Sequence, residues 1–132
     1  MLEAGATSTV SLQVREADLA SAFAETQSER YPDVLSTPAM LGLMERACAK
    51  AMTPVVGEEQ LSVGVKTELS HTQPTARDVL VTAVATFRHI DGALYWFDVD
   101  ASDPAGRIGT ARHARAIVDR ASIEQRAAQR RA

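Results

Sequence analysis

The chain has 132 residues, 45% hydrophobic and 23% charged, with a formal net charge of −3. That length suits one domain with a core of its own, here residues 1–132 with a polar, Arg-rich stretch from about residue 120, and the composition excludes a disordered tail, a collagen-like chain or a disulfide scaffold. The weakly acidic balance gives no global pull on nucleic acid or an anionic membrane.

Ser8 to Arg15 alternates, with Val10, Leu12 and Val14 on one side and Ser11 and Gln13 on the other. That is the period of a strand. Asp18 reads as the cap of a short helix through Ala24, and Thr26 to Ser36, which carries Pro32, as a loop or lid. Thr37-Pro38 then gives the strongest helix start in the chain, a hydroxyl cap before a proline. The helix runs through LGLMERACAKAM and stops near Thr53-Pro54. Met40, Leu41, Leu43, Met44, Ala47, Cys48, Ala51 and Met52 make it apolar on nearly every side, the pattern of a buried helix.

Strands follow. Leu61 to His71 alternates, with Leu61, Val63, Val65, Leu69 and His71 assigned to one face. Val79 to His89 alternates through Val81, Ala83, Ala85 and Phe87, and Asp91-Gly92 signals a hairpin. Leu94 to Ala101 and Arg107 to Val118 are the next strands, joined by the turn Asp103-Pro104-Ala105-Gly106; a polar helix starts near Ser122. One buried helix with a mostly antiparallel sheet is an α+β arrangement, most economically a sheet curled around the helix.

Few residues carry chemistry. Glu45 sits mid-helix with Leu41, Gly42, Cys48 and Ala49 as its same-face neighbours. None of them pairs with a carboxylate, so Glu45 either points to solvent, pairs with a distant Arg, or has a functional task. His71 ends an apolar strand face, where a histidine serves as a hydrogen-bonded core residue or a proton carrier. His89, beside the hairpin, reads as exposed. His113 and Arg115, two apart on one strand, read as an ion-pair site or an anion site. Thr37 reads as the helix cap, or as a hydroxyl beside free backbone N–H groups that favour an oxyanion. Gly64 marks a bulge or a close approach. Cys48 reads as a small core hydrophobe, and a lone cysteine fits a reducing cytoplasm. Met1 to Val10 lacks the basic start and apolar run of a signal peptide, and no stretch nears the ~20 apolar residues of a membrane span. No metal-ligand spacing, phosphate loop or aromatic stacking platform for nucleic acid is present in the sequence.

Taken together, "LSTPAMLGLMERACAKAM", "VGVKTELSHTQPT" and "GTARHARAIV" resemble the fluoroacetyl-CoA thioesterase-like family of hotdog-fold proteins, over roughly residues 8 to 120. The resemblance implies a five-stranded antiparallel sheet wrapped around one long central helix, in a homodimer with sites at the subunit interface. It implies a thioester hydrolase with no cofactor of its own, coenzyme A being part of the acyl-CoA substrate. The family's catalytic residues fall on Thr37, Glu45 and His71, its acyl-pocket glycine on Gly64 and its His-x-Arg arginine on Arg115. Tyr31 opens the lid with the family's Tyr-Pro step and joins the substrate-binding set. The Phe-rich stretch of fluoroacetyl-selective members is absent after it, so the expected substrate is a broader short-chain acyl-CoA. The spacing of Thr37 and Glu45, eight positions or ~12 Å along one helix, suggests that a site takes one from each subunit. A non-catalytic acyl-CoA binding module and a hotdog dehydratase or hydratase are the competing readings. Neither nucleic acid nor membrane is an expected partner.

Overall fold

The computed structural model describes residues 1–131. Its elements are β1 (Thr7–Gln13), α1 (Thr37–Ala51), β2 (Gln60–His71), β3 (Leu80–Asp91), β4 (Leu94–Asp103), β5 (Gly106–Asp119) and α2 (Arg120–Gln129). The strands form one antiparallel sheet in the order β1-β3-β4-β5-β2. The expected α+β architecture, a five-stranded sheet around one long helix, is what the chain adopts.

The core lies between α1 and the concave face of the sheet. Met40, Leu43, Met44, Ala47, Cys48 and Ala51 are buried on α1. They meet Val81, Ala83, Ala85 and Phe87 of β3 and Phe97, Val99 and Ala101 of β4. The alanines keep the sheet surface low so the helix can approach, and Phe87 and Phe97 fill one end, edge to face at 5.5 Å between centroids. The hairpins turn where glycine permits: Gly92 and Gly106 have φ of +61° and +131°.

Three local expectations change. Asp18 is not the N-cap of a helix through Ala24; the segment forms two single 3-10 turns, Glu16–Asp18 and Ala20–Phe23, and Asp18 ends the first of them as the acidic member of its capping box. Its buried carboxylate instead accepts the Arg15 backbone N–H and guanidinium at 2.8 to 2.9 Å. The base of the lid is zipped shut next to it, with Ala20 N–H donating to Val34 and Ser36 N–H to Asp18, both at 2.8 Å. The α1 cap is Ser36, whose Oγ accepts from Ala39 N–H at 3.1 Å, and Thr37 is the first helical residue.

The third change is in β2. Gly64 pairs with Arg115 and Lys66 with Ala114, so Val65 is an extra residue in a bulge. Paired residues share a face, so the bulge switches the alternation. Ser62, Gly64, Thr67, Leu69 and His71 face as Ile117, Arg115, His113, Ala111 and Gly109 do, toward the helix. Leu61 and Val63 are on the opposite face, not with Leu69 and His71. No helix among the described residues is long and apolar enough to cross a membrane.

Candidate active site

The Thr37 hydroxyl lies 2.8 Å from His71 Nδ1. Two features bring them together. Ser36 takes the capping role, which leaves the Thr37 hydroxyl free for a side-chain partner. Gly109, opposite His71, lets the first helical turn close on the sheet: a Cβ there would lie 2.6 Å from the Ser70 carbonyl and 2.7 Å from Met40 Cε. His71 Nε2 is buried and without a partner among the described residues. Burial pushes the ring's pKa below the ordinary 6.5, outweighing a backbone contact at Gln73.

Thr37 and His71 line a cavity of about 380 Å³ with Pro32, Val34 and Leu35 of the lid and Gln73 and Pro74. Few backbone donors point there from the helix start. Pro38 has no N–H, Ala39 N–H goes to Ser36 Oγ and Met40 N–H to the Ser36 carbonyl. Of the free N–H groups that the oxyanion reading set beside Thr37, its own is therefore the one left without an acceptor among the described residues at this helix start.

About two turns on, Glu45 belongs to a denser cluster. Arg115 Nη1 donates to Glu45 Oε2 at 3.1 Å and to His113 Nε2 at 3.0 Å. Arg115 Nε and Nη2 donate to Ser62 Oγ and the Ser62 carbonyl at 2.9 and 3.0 Å. The Arg115 side chain is 8% exposed and that of Glu45 39%. Of the readings open for Glu45, the distant arginine is therefore real, and so is partial access to solvent. The ion pair is not a stability device by default, since desolvating a guanidinium offsets much of the attraction. Its Ser62 bonds engage two more of the five guanidinium hydrogens, for four in all, and fix its plane.

Gly64 completes this cluster by what it lacks. A Cβ there would stand 2.7 Å from Glu45 Oε2 and 3.0 Å from His113 Cε1. Without one, the carboxylate lies directly over the β2 backbone. The bulge at Val65 makes the arrangement, because it turns Ser62, Gly64 and Thr67 toward Arg115 and His113.

The structure thus assembles Thr37 with His71, and Glu45 with Gly64 and Arg115, but keeps the two sets apart on one helix. Tyr31 stands outside both: it is 45% exposed and its hydroxyl donates to Glu29 Oε1 at 3.0 Å. Lid residues Pro32 and Val34 reach the cavity instead. Ser62 and Thr67 were missed as parts of a site, whereas His113 was read with Arg115 as an ion-pair or anion site. For His113 and Arg115 the two-residue spacing was the signal; for Ser62 and Thr67 there was none, because the bulge determines where they point. Cys48 is fully buried, and burial pushes its thiol up to about 12, which leaves it a core residue.

The family profile described as "Fluoroacetyl-CoA-specific thioesterase" matches residues 14–121. The fluoroacetyl-CoA thioesterase of Streptantibioticus cattleyicolor is 35% identical over 88 residues, 67% of this chain and 63% of that protein. The aligned region therefore spans less than two thirds of that relative. A fluoroacetyl-CoA thioesterase solved as a Thr-to-Ser mutant in complex with acetyl-CoA superposes with a TM-score of 0.92 at 26% identity, over 98% of this chain and 99% of that one. A hot-dog-like protein from Thermanaerovibrio acidaminovorans shares the fold, with a TM-score of 0.82 at 22% identity over 98% and 93% of the two chains.

Proposed function

This chain belongs to the fluoroacetyl-CoA-specific thioesterase family, and from that premise we propose that it hydrolyses a short-chain acyl-CoA to the free acid and coenzyme A at sites shared between two copies of the chain. The observation that carries the reading is the division of the polar residues. Thr37 and His71 share a cavity, while Glu45 is held by Arg115 eight positions along the same helix, ~12 Å away. A second copy laid against the first supplies the missing partner to each half. The β2 edge of the sheet supports such a contact: among the described residues it has no neighbouring strand on one side, and Val65 is 52% exposed on it.

In the reaction, the Thr37 hydroxyl and N–H hold the thioester carbonyl oxygen as it gains negative charge. Glu45 has one oxygen engaged by Arg115 and the other without a protein partner among the described residues. The free oxygen takes a proton from water as the water oxygen attacks the carbonyl carbon, or itself attacks to form a mixed anhydride that water then opens. In either route the C–S bond breaks as the acyl carbon is transferred to oxygen, and the thiolate takes a proton that comes from water, relayed through the neutral His71 ring. Gly64 and Arg115 shape the acyl end of the site, and Tyr31 belongs to the lid over the substrate. The protein needs no cofactor in this scheme. The single free Cys48 supports a cytoplasmic setting.

Purified protein with a panel of short acyl-CoAs and a thiol reagent tests the reading. Thiol release, greatest for small acyl groups, is the expected result. Binding without release would make the chain an acyl-CoA binding module, and water addition or loss without thiol release a dehydratase or hydratase. Mixing Thr37→Ala and Glu45→Gln chains should restore activity from two inactive parents through one complete site per dimer; no recovery would sink the shared site.

A further inference from the structure

His113 is 1% exposed on β5, and the reaction as described gives it no task. Its ring is nonetheless fixed at both nitrogens: Nδ1 is 2.6 Å from Thr67 Oγ1 and Nε2 is 3.0 Å from Arg115 Nη1. A guanidinium has donors only. Nε2 therefore presents its lone pair, and the ring proton sits on Nδ1 and is donated to Thr67. Arg115 Nη1 has two hydrogens, one for His113 Nε2 and one for Glu45 Oε2. With Nε and Nη2 tied to Ser62, the lone pair of His113 settles where the last Nη1 hydrogen points.

We propose that His113 is a positioning residue: its neutral ring, locked as the Nδ1–H form by Thr67, holds Arg115 so that Arg115 holds the Glu45 carboxylate in place. This rests on the thioester-hydrolysis reading of the same site. Protonating the ring would set N–H against N–H at 3.0 Å. It would also put a second positive charge 4.0 Å from Glu45 Oε2, in competition with Arg115. The groups acting on the ring are consistent with neutrality. Burial lowers its pKa most, Arg115 on its own strand lowers it further, and Glu45 on α1 and a backbone contact at Lys66 on β2 oppose this less strongly. Cys48 on α1 is an uncharged thiol, and β4 contributes Phe97, its register partner.

Nitrogen NMR of the labelled ring should show the Nδ1–H form, neutral as the pH falls through 6.5, the ordinary histidine value. An Nε2–H form, or a ring that titrates at that ordinary value, overturns the proposal, and neither result depends on turnover. In kinetics, His113→Leu should lower kcat roughly 10- to 100-fold with KM within about twofold, the size of one lost buried hydrogen bond. His113→Gln places an amide oxygen near the Nε2 position and should restore most of that loss. Where His113→Leu does not fold, Thr67→Val against Thr67→Ser carries the test, with loss of kcat in the first and rescue in the second. A folded His113→Leu or Thr67→Val protein with unchanged kcat overturns the proposal, as does His113→Gln no better than His113→Leu. A parent inactive on every acyl-CoA would instead remove the hydrolysis reading, while the NMR result still decides the state of the ring.

Discussion

At the start of α1, Thr37 and His71 share one hydrogen bond and line an open cavity, with His71 Nε2 buried and unpartnered among the described residues. Two turns on, Glu45, Arg115, His113, Ser62 and Thr67 form a continuous network with Gly64 packed beneath it. The contrast teaches where reorganisation is costly. A group tied by one bond at a cavity wall can turn toward a substrate, whereas a carboxylate clamped by an arginine that is itself held through all three of its nitrogens is already in place before one arrives. In the proposed scheme the loose half handles the carbonyl and the leaving group, and the rigid half handles attack by water.

The largest expected effect comes from removing the charge at the rigid half while keeping its shape. Glu45→Gln should lower kcat by about 10² to 10⁴-fold, the range for a lost acid–base group, with little change in thermal stability. A folded Glu45→Gln enzyme with near-normal kcat would remove Glu45 from the chemistry. At the loose half, Thr37→Val should cost roughly 10- to 100-fold in kcat, since it leaves His71 Nδ1 without its partner and removes the carbonyl contact. Thr37→Ser should keep most activity, and equal loss in both variants would point to packing instead of the hydroxyl. Gly64→Ala tests the rigidity itself: its Cβ would sit 2.7 Å from Glu45 Oε2, so carboxylate or strand must shift. About a tenfold loss of kcat and 1–3 kcal/mol of stability are expected, as for an overfilled core site. An unchanged enzyme would mean the cluster is softer than its hydrogen bonds suggest.

The smaller effects come from pH and from the surface. Both His71 and His113 are held below 6.5 chiefly by burial. In the window between that lowered value and 6.5, the unfolded chain binds more protons than the folded one. Stability is therefore highest above pH 6.5 and falls as the pH drops through the window, levelling off below the folded value. Melting temperature against pH measures this, and His113→Gln should flatten the curve. The weakest perturbation is the joint replacement of Arg126, Arg130 and Arg131. α2 has no buried residue, so stability should change by no more than about 0.5 kcal/mol. A raised KM in that variant would place the coenzyme A phosphates at this end of the chain.

Much of the architecture was legible because it rests on local pattern. The apolar helix, the alternating strands and the glycine turns each report their own burial through periodicity. Glu45 stood out for the same reason, as a charge in an apolar helix with no partner at three or four residues. The exchange of roles between Ser36 and Thr37 was not legible, because two adjacent hydroxyls offer the same cap and only the position of His71 separates them. Nor was the face of Ser62, Gly64 and Thr67, because one bulged residue reverses an alternation that looks continuous in the chain.

By itself, then, the sequence determined one helix wrapped in an antiparallel sheet and marked Thr37, Glu45 and His71 as unusual, since burial period and missing local partners are properties of neighbours in sequence. Only the tertiary structure decided which polar groups meet. The Val65 bulge turns β2, Gly64 and Gly109 let the helix close on the sheet, and Arg115 reaches Glu45 across 70 positions of chain. Those choices depend on strand register and on distances between residues far apart in the chain, which no local pattern encodes.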